Sequence, residues 1–150
     1  MVNRKWLFGL GLMSAGLLAL VLGVPAADEK HAADKHGEHF DKCAKACAHC
    51  AGECESCASH CAHMLAEGKK DHLKTLQTCR DCAEFCVAAG RIVARHGPFS
   101  TTICEACAKA CDACAKACEK FPDDKHMAGC TKACRDCAKA CREMVKHAGD

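Results

Sequence analysis

The sequence predicts an all-α protein, an antiparallel four-helix bundle with cysteines lining its core. Three observations predict it. Eighteen of the 150 residues are cysteine, and within each of four segments every step between neighbouring cysteines is 3 or 4. That is the a/d period of a helix packed against partners, and the absence of any step of 2 excludes a strand. Breakers stand between the segments, and alanine, the best helix former, flanks the thiols in runs such as Cys43-Ala44-Lys45-Ala46-Cys47.

Residues 1–26 read as an address. Arg4 and Lys5 precede an uncharged apolar run from Trp6 to Val24, and Val24-Pro25-Ala26 offers small residues to a signal peptidase. The expectation is a secretory signal peptide, with an uncleaved anchor as the alternative, and a location in the bacterial periplasm or cell envelope. Residues 27–37 form a polar leader with His31 and His36, read as solvated chain or, more sharply, as a metal-catching tail. Residues 38–150 are the cysteine-rich bundle.

The first helix, expected near 38–66, carries Cys43, Cys47, Cys50, Cys54, Cys57 and Cys61. Gly68 ends it, and Asp71 is placed to cap a second helix near 71–96 with Cys79, Cys82 and Cys86. Gly97-Pro98 ends that one. Thr102 and Glu105 have capping-box spacing for a third helix near 101–121, which holds Cys104, Cys107, Cys111, Cys114 and Cys118. Pro122-Asp123-Asp124 stops the third helix and caps a fourth near 124–148, with Cys130, Cys134, Cys137 and Cys141. Short connections make neighbours antiparallel. Continuing the register adds Phe40, Met64, His72, Thr75, Ala89, Val93, His96, Phe121, Met127 and Met144 to the same seam.

Composition narrows the chemistry. After residue 26 there are only 15 large apolar side chains (Phe, Leu, Ile, Val and Met), fewer than the cysteines. The core is therefore built largely from thiols. A formal net charge of +2 argues against a nucleic-acid surface. No residues have the arrangement of a nucleophile, base and oxyanion site, so no enzyme is expected. Eighteen cysteines in one register exceed what small buried hydrophobes require. A disulfide framework fits poorly, because Cβ atoms roughly 5–6 Å apart on one helix face are too far for the ~3.8 Å of a disulfide. A thioredoxin-like site needs one CxxC at a helix N-terminus, whereas six CxxC pairs occur here and several fall inside helices. None is followed by His, which excludes haem attachment, and Cys-x-Cys is absent.

A buried soft-metal store remains. Thiolate charges cannot stay unpaired in a dry core. Cu(I) is soft and monovalent; if each thiolate bridges two ions and each ion takes two thiolates, roughly one ion per cysteine leaves the core neutral. Zn(II) in a four-thiolate site leaves a double negative charge. The alternatives are a disulfide-bonded or thiol-redox envelope protein, or a sink for zinc, cadmium or silver.

On the runs Cys43-Cys47-Cys50-Cys54-Cys57-Cys61 and Cys104-Cys107-Cys111-Cys114-Cys118, residues 38–148 resemble the copper storage proteins, and the export signal in residues 1–26 resembles their exported branch. The resemblance implies inward thiols holding many Cu(I) ions, tetramers of bundles, and a mouth lined by His and Met. No membrane partner is expected once the signal is cleaved. Antiparallel helices gather His60, Met64, His72, Phe121, His126 and Met127 at one end of the bundle, and His36, Phe40, Val93, His96, Phe99, Ile103 and Met144 at the other. Soft donors favour the first end for admitting metal, through His60, Met64, His72, His126 and Met127. Phe40, Val93, Phe99 and Ile103 read as an apolar plug at the second.

Overall fold

A computed structural model of the protein describes residues 35–148. Helix α1 spans Lys35–Ala66, α2 Leu73–Ala94, α3 Ser100–Cys118 and α4 Lys125–His147, with one 3₁₀ turn at Lys70–His72. Among the described residues there is no strand. No described helix is long and apolar enough to cross a membrane. The expected signal peptide, residues 1–26, lies outside the described residues, as does most of the polar leader. The end of that leader is helical, since α1 begins at Lys35.

Consecutive helices pack side by side and α4 closes on α1, so α1 faces α3, and α2 faces α4, across the bundle axis. The connections are built by local chemistry. Gly68, with φ 86°, ends α1 in a left-handed conformation. The Lys69 N–H then reaches the Met64 carbonyl at 3.0 Å and the Gly68 N–H reaches that of Leu65 at 2.9 Å, which closes the helix as a Schellman motif. The end of α2 repeats this pattern with His96 in place of glycine. Its φ is 51°, and the Gly97 and His96 N–H groups donate to Ile92 and Val93 at 3.0 and 2.9 Å. A β-carbon in this region costs on the order of 1 kcal/mol.

Two expected caps are replaced. Asp71 lies inside the 3₁₀ turn, so His72 stands at the N-cap of α2 with no side-chain cap. Helix α3 starts before Thr102, which falls within its first turn; the Ser100 hydroxyl donates back to the Gly97 carbonyl at 2.7 Å. Both differences arise because a tight turn satisfies the backbone groups that a cap would take. Asp124 caps α4 as expected.

The core is an alanine-walled column of thiols. Every cysteine has a relative exposure of 1% or less. Alanines 51, 58, 83, 89, 108, 115, 117, 133 and 138 are buried around them. Small walls let helices approach closely: a Cβ at Gly90 would lie 3.4 Å from the Cys47 Cβ and 3.5 Å from the Ala44 carbonyl oxygen. Outside, Arg135 bridges Asp112 at 3.2 Å and Glu119 at 2.8 Å, and Arg142 also pairs with Asp112. Such exposed pairs contribute about 0–1 kcal/mol each, so the α3–α4 contact rests mainly on packing.

Candidate metal centre

Each helix contributes one stripe of thiols, and packing brings the stripes into register. Between α1 and α4, sulfur–sulfur distances are 3.7 Å for Cys43–Cys141, Cys47–Cys141, Cys47–Cys137 and Cys50–Cys134, and 3.6 Å for Cys54–Cys134. As the number rises on α1 it falls on α4, the mark of antiparallel neighbours. Between α2 and α3 the same holds, with Cys79–Cys114 at 3.6 Å, Cys82–Cys111 at 3.7 Å and Cys86–Cys107 at 3.7 Å. Thiols also meet across the diagonal. Cys43–Cys104 are 3.5 Å apart, and Cys50–Cys111, Cys54–Cys114 and Cys57–Cys118 are 3.9 Å apart. Here both numbers rise together, because α1 and α3 run parallel.

All eighteen cysteines are free. Their spacings far exceed the roughly 2.05 Å of a disulfide and fit weak S–H···S contacts. Sets of four sulfurs converge within 4.8 Å of one another, among them Cys47, Cys107, Cys137 and Cys141, and Cys54, Cys114, Cys130 and Cys134. A span near 4 Å is close to what one soft ion needs between two thiolates, about 4.5 Å from metal–sulfur bonds of roughly 2.3 Å. The donor set therefore fits a column of thiolate-bound ions. The same-helix pairs Cys43–Cys47 and Cys107–Cys111, at 4.0 Å, are no shorter than the cross-helix ones.

Protons are held unevenly along the column. Cys61, the outermost thiol of α1, is pushed up to about 12, first by burial and then by the charges of Cys57, Cys130 and Asp124. Cys134 and Cys137 are also pushed up, first by hydrogen bonding to neighbouring thiols, which favours their protonated form, and then by burial. Helix α2 supplies only three thiols. Its stripe continues instead through buried Thr75, Ala89 and Val93. Buried Thr75 donates to the Ala117 carbonyl at 3.3 Å.

At the Cys61 end, four of the five proposed metal-admitting residues form two contact sets. His60 stacks on His126 with centroids 4.5 Å apart, and lies edge-on to His72 at 6.2 Å. His72 is 5% exposed, stacks on Phe121 at 4.1 Å, and its buried Nδ1 has no hydrogen-bond partner. A buried imidazole nitrogen left open in this way fits a soft or borderline ion. Met127 is fully buried, its Sδ 3.4 Å from the Cys57 Sγ, so a thioether stands directly on the thiol column. Met64 is the exception: it is half-buried at the rim, and its sulfur accepts from the Lys69 ammonium at 3.3 Å. The register did not disclose Asp124, whose Oδ2 accepts from His60 Nε2 at 2.6 Å. Its cap position was legible, but its reach across to α1 was not.

The seam at the opposite end is apolar. Phe40, Val93 and Met144 are buried, and Phe40 stacks on His96 at 4.5 Å. Phe99 is 68% exposed and takes no part in the plug, because the early start of α3 turns it outward; Ile103 packs partly against the core. His96 itself is exposed, and the side chain of His36 lies outside the described ones. A second imidazole pair, His39 and His147, stacks at 4.0 Å.

The family model described as copper storage protein matches residues 29–146. A structure of a cytosolic copper storage protein from Streptomyces lividans, loaded with five coppers, is 29% identical, covers 75% of this chain and 96% of its own, and superposes with a TM-score of 0.69. Copper storage protein 3 from Bacillus subtilis, in its apo form, is 32% identical over 70% of this chain and 97% of its own, with a TM-score of 0.62. A Cu(I)-bound copper storage protein, BsCsp3, is 34% identical over 71% and 98%, with a TM-score of 0.64. No curated protein sequence matches the chain.

These neighbours overturn one expectation. Export to the bacterial periplasm or cell envelope rests on residues 1–26 alone, and the copper storage protein from Streptomyces lividans found loaded with five coppers is described as cytosolic. The physical reason is that the bundle itself carries no compartment signal. Free thiols in such numbers persist most readily where the surroundings are reducing. With a family match over residues 29–146, most of its length, the chain belongs to the copper storage protein family.

Proposed function

We propose that this protein sequesters and stores copper as Cu(I), at roughly one ion per cysteine, in the thiol column, and that it performs no catalysis. One observation carries the reading: of the eighteen free, buried thiols, all but Cys61 meet another thiol at 3.5–4.0 Å along the bundle axis. Bridging thiolates with monovalent ions keep that column neutral, which an apolar, alanine-walled interior requires. The Cu(I)-bound neighbour supports the oxidation state.

Metal enters at the His72 end. His72 offers an unpartnered Nδ1, and Met127 stands between that end and Cys57. Imidazole and thioether hold Cu(I) more weakly than thiolate, so ions pass inward to the column. Each ion displaces a thiol proton, because thiolate is the ligand. Assembly into tetramers, implied by the family resemblance, is read by light scattering.

The test is an anaerobic Cu(I) titration of the reduced, metal-free protein against a coloured chelator. The expected result is tight uptake of roughly one ion per cysteine, as the neutral column requires. Saturation at about four ions would instead favour Zn(II)-type tetrahedral sites, for which the converging four-thiol sets are also suited. Competition between the two metals then separates the readings.

A further inference from the structure

One carboxylate at the His72 end uses both of its oxygens. Asp124 Oδ1 accepts from the backbone N–H groups of His126 at 2.9 Å and Met127 at 3.3 Å. Oδ2 accepts from His60 Nε2 on α1 at 2.6 Å. An ionised carboxylate only accepts, so a neutral His60 ring carries its proton on Nε2 and keeps its lone pair on Nδ1. The same ring stacks on His126 and lies edge-on to His72.

We infer that Asp124 is the positioning residue of the metal-admitting end: it holds His60 in the orientation and tautomer that leave Nδ1 as the free ligand atom, and it ties that ring to the first turn of α4, where His126 and Met127 sit. This rests on the reading that copper enters at this end.

Capping alone does not require the arrangement. An N-cap needs one side-chain oxygen, and Asn or Ser serves as well as Asp. The second oxygen instead reaches a histidine 64 residues away in sequence. A carboxylate on one imidazole nitrogen fixes the ring and makes the other nitrogen a better donor. The acid is suited to the task because it stays charged. Both oxygens are engaged by N–H donors, His60 Nε2 on one and the backbone N–H groups of His126 and Met127 on the other, which favours the ionised form. The positive end of α4 acts in the same direction. Without the acid, His60 turns freely and presents either nitrogen. The first turn of α4, which carries Met127 against Cys57, loses its anchor to α1.

The two roles separate experimentally. Asp124→Asn keeps an oxygen for the cap and replaces the carboxylate facing His60; Asp124→Ser also keeps the cap but is too short to reach the ring. With the full chain, reduced and metal-free, the His60 tautomer is read by ¹⁵N NMR and Cu(I) uptake from a coloured chelate is followed by stopped flow. The final copper content, which the thiols set, separates slow filling from lost sites.

Either variant is expected to lower the Nε2–H tautomer of His60 and to slow uptake about tenfold, the scale on which partners of ligating histidines act. His60→Ala is expected to slow uptake as much, with no added effect of Asp124→Asn in the double variant. An unchanged tautomer and unchanged uptake in both Asp124 variants, with His60→Ala slow, would overturn the inference and leave Asp124 a cap. Unchanged uptake in His60→Ala and His72→Ala together would overturn it along with the reading of this end as the mouth.

Discussion

The two ends of the bundle close the same column by opposite means. At one end Phe40, Val93 and Met144 fill the seam with apolar volume, and Phe40 lies under His96. At the other, His60, His72 and His126 gather, Met127 stands on Cys57, and one buried nitrogen lacks a partner. The first end buries Phe40, Val93 and Met144, so it should contribute stability. Polar capacity at the second end is left unsatisfied, which costs stability and gives an incoming ion something to bind. The difference teaches that a store can concentrate its folding energy and its metal traffic at separate places.

The sharpest way to break this comparison is Phe40→Ala. Removing a buried aromatic ring should cost about 3 kcal/mol of stability, read as a fall in the thermal midpoint of the apo protein, while the Cu(I) uptake rate stays close to that of the parent. A slowed uptake would place the traffic at the wrong end. Next in size is His72→Ala, expected to slow uptake about tenfold, or roughly 1.4 kcal/mol in the barrier, by removing the imidazole whose Nδ1 is open. Met127→Leu sharpens the same point. Its volume is conserved, so stability should change by less than about 1.5 kcal/mol, yet loss of the thioether beside Cys57 should delay transfer into the column in the same stopped-flow assay.

A pH series tests the thiols at the Cys61 end. Burial raises Cys61 from the ordinary thiol value of 9.0 to about 12. A raised pKa means that the folded state prefers the protonated thiol, so this stability is fully present below about pH 9 and is lost as pH rises from there towards 12. Circular dichroism of the apo protein should show the midpoint falling across that window. The copper-loaded protein, whose thiolates are already deprotonated by metal, should resist. The smallest expected effect is at Gly68, whose φ of 86° lies in the left-handed region. Gly68→Ala should cost about 1 kcal/mol with no change in copper content, which a chelator back-titration would check.

Much of the bundle was legible in sequence because thiols mark their own register. A cysteine at every third or fourth position names the buried face of each helix without any help from large apolar residues. Asp124 was legible as a cap from Pro122-Asp123-Asp124, since capping is local. Asp71 and Thr102 were misplaced for the same reason in reverse: the turns beside them satisfy the backbone, and turn geometry depends on how the next helix docks. Phe99 looked like a plug residue and is exposed because the chain entering α3 turns outward there.

Cross-helix distances were not legible. The stripe says which residues face inward, but not that Cys43 meets Cys104 across the diagonal at 3.5 Å, or that the Cys82 sulfur lies 3.7 Å from that of Cys111. The link between Asp124 and His60 belongs to the same class. Periodicity along one helix is a property of local backbone geometry, so the sequence by itself determined the four helices, their inward faces and the soft-donor chemistry of the core. Separation between helices depends on how closely alanine walls approach and on the register in which they dock. Only three-dimensional packing settled which thiols meet, which nitrogen is left open, and which acid holds the histidine beside it.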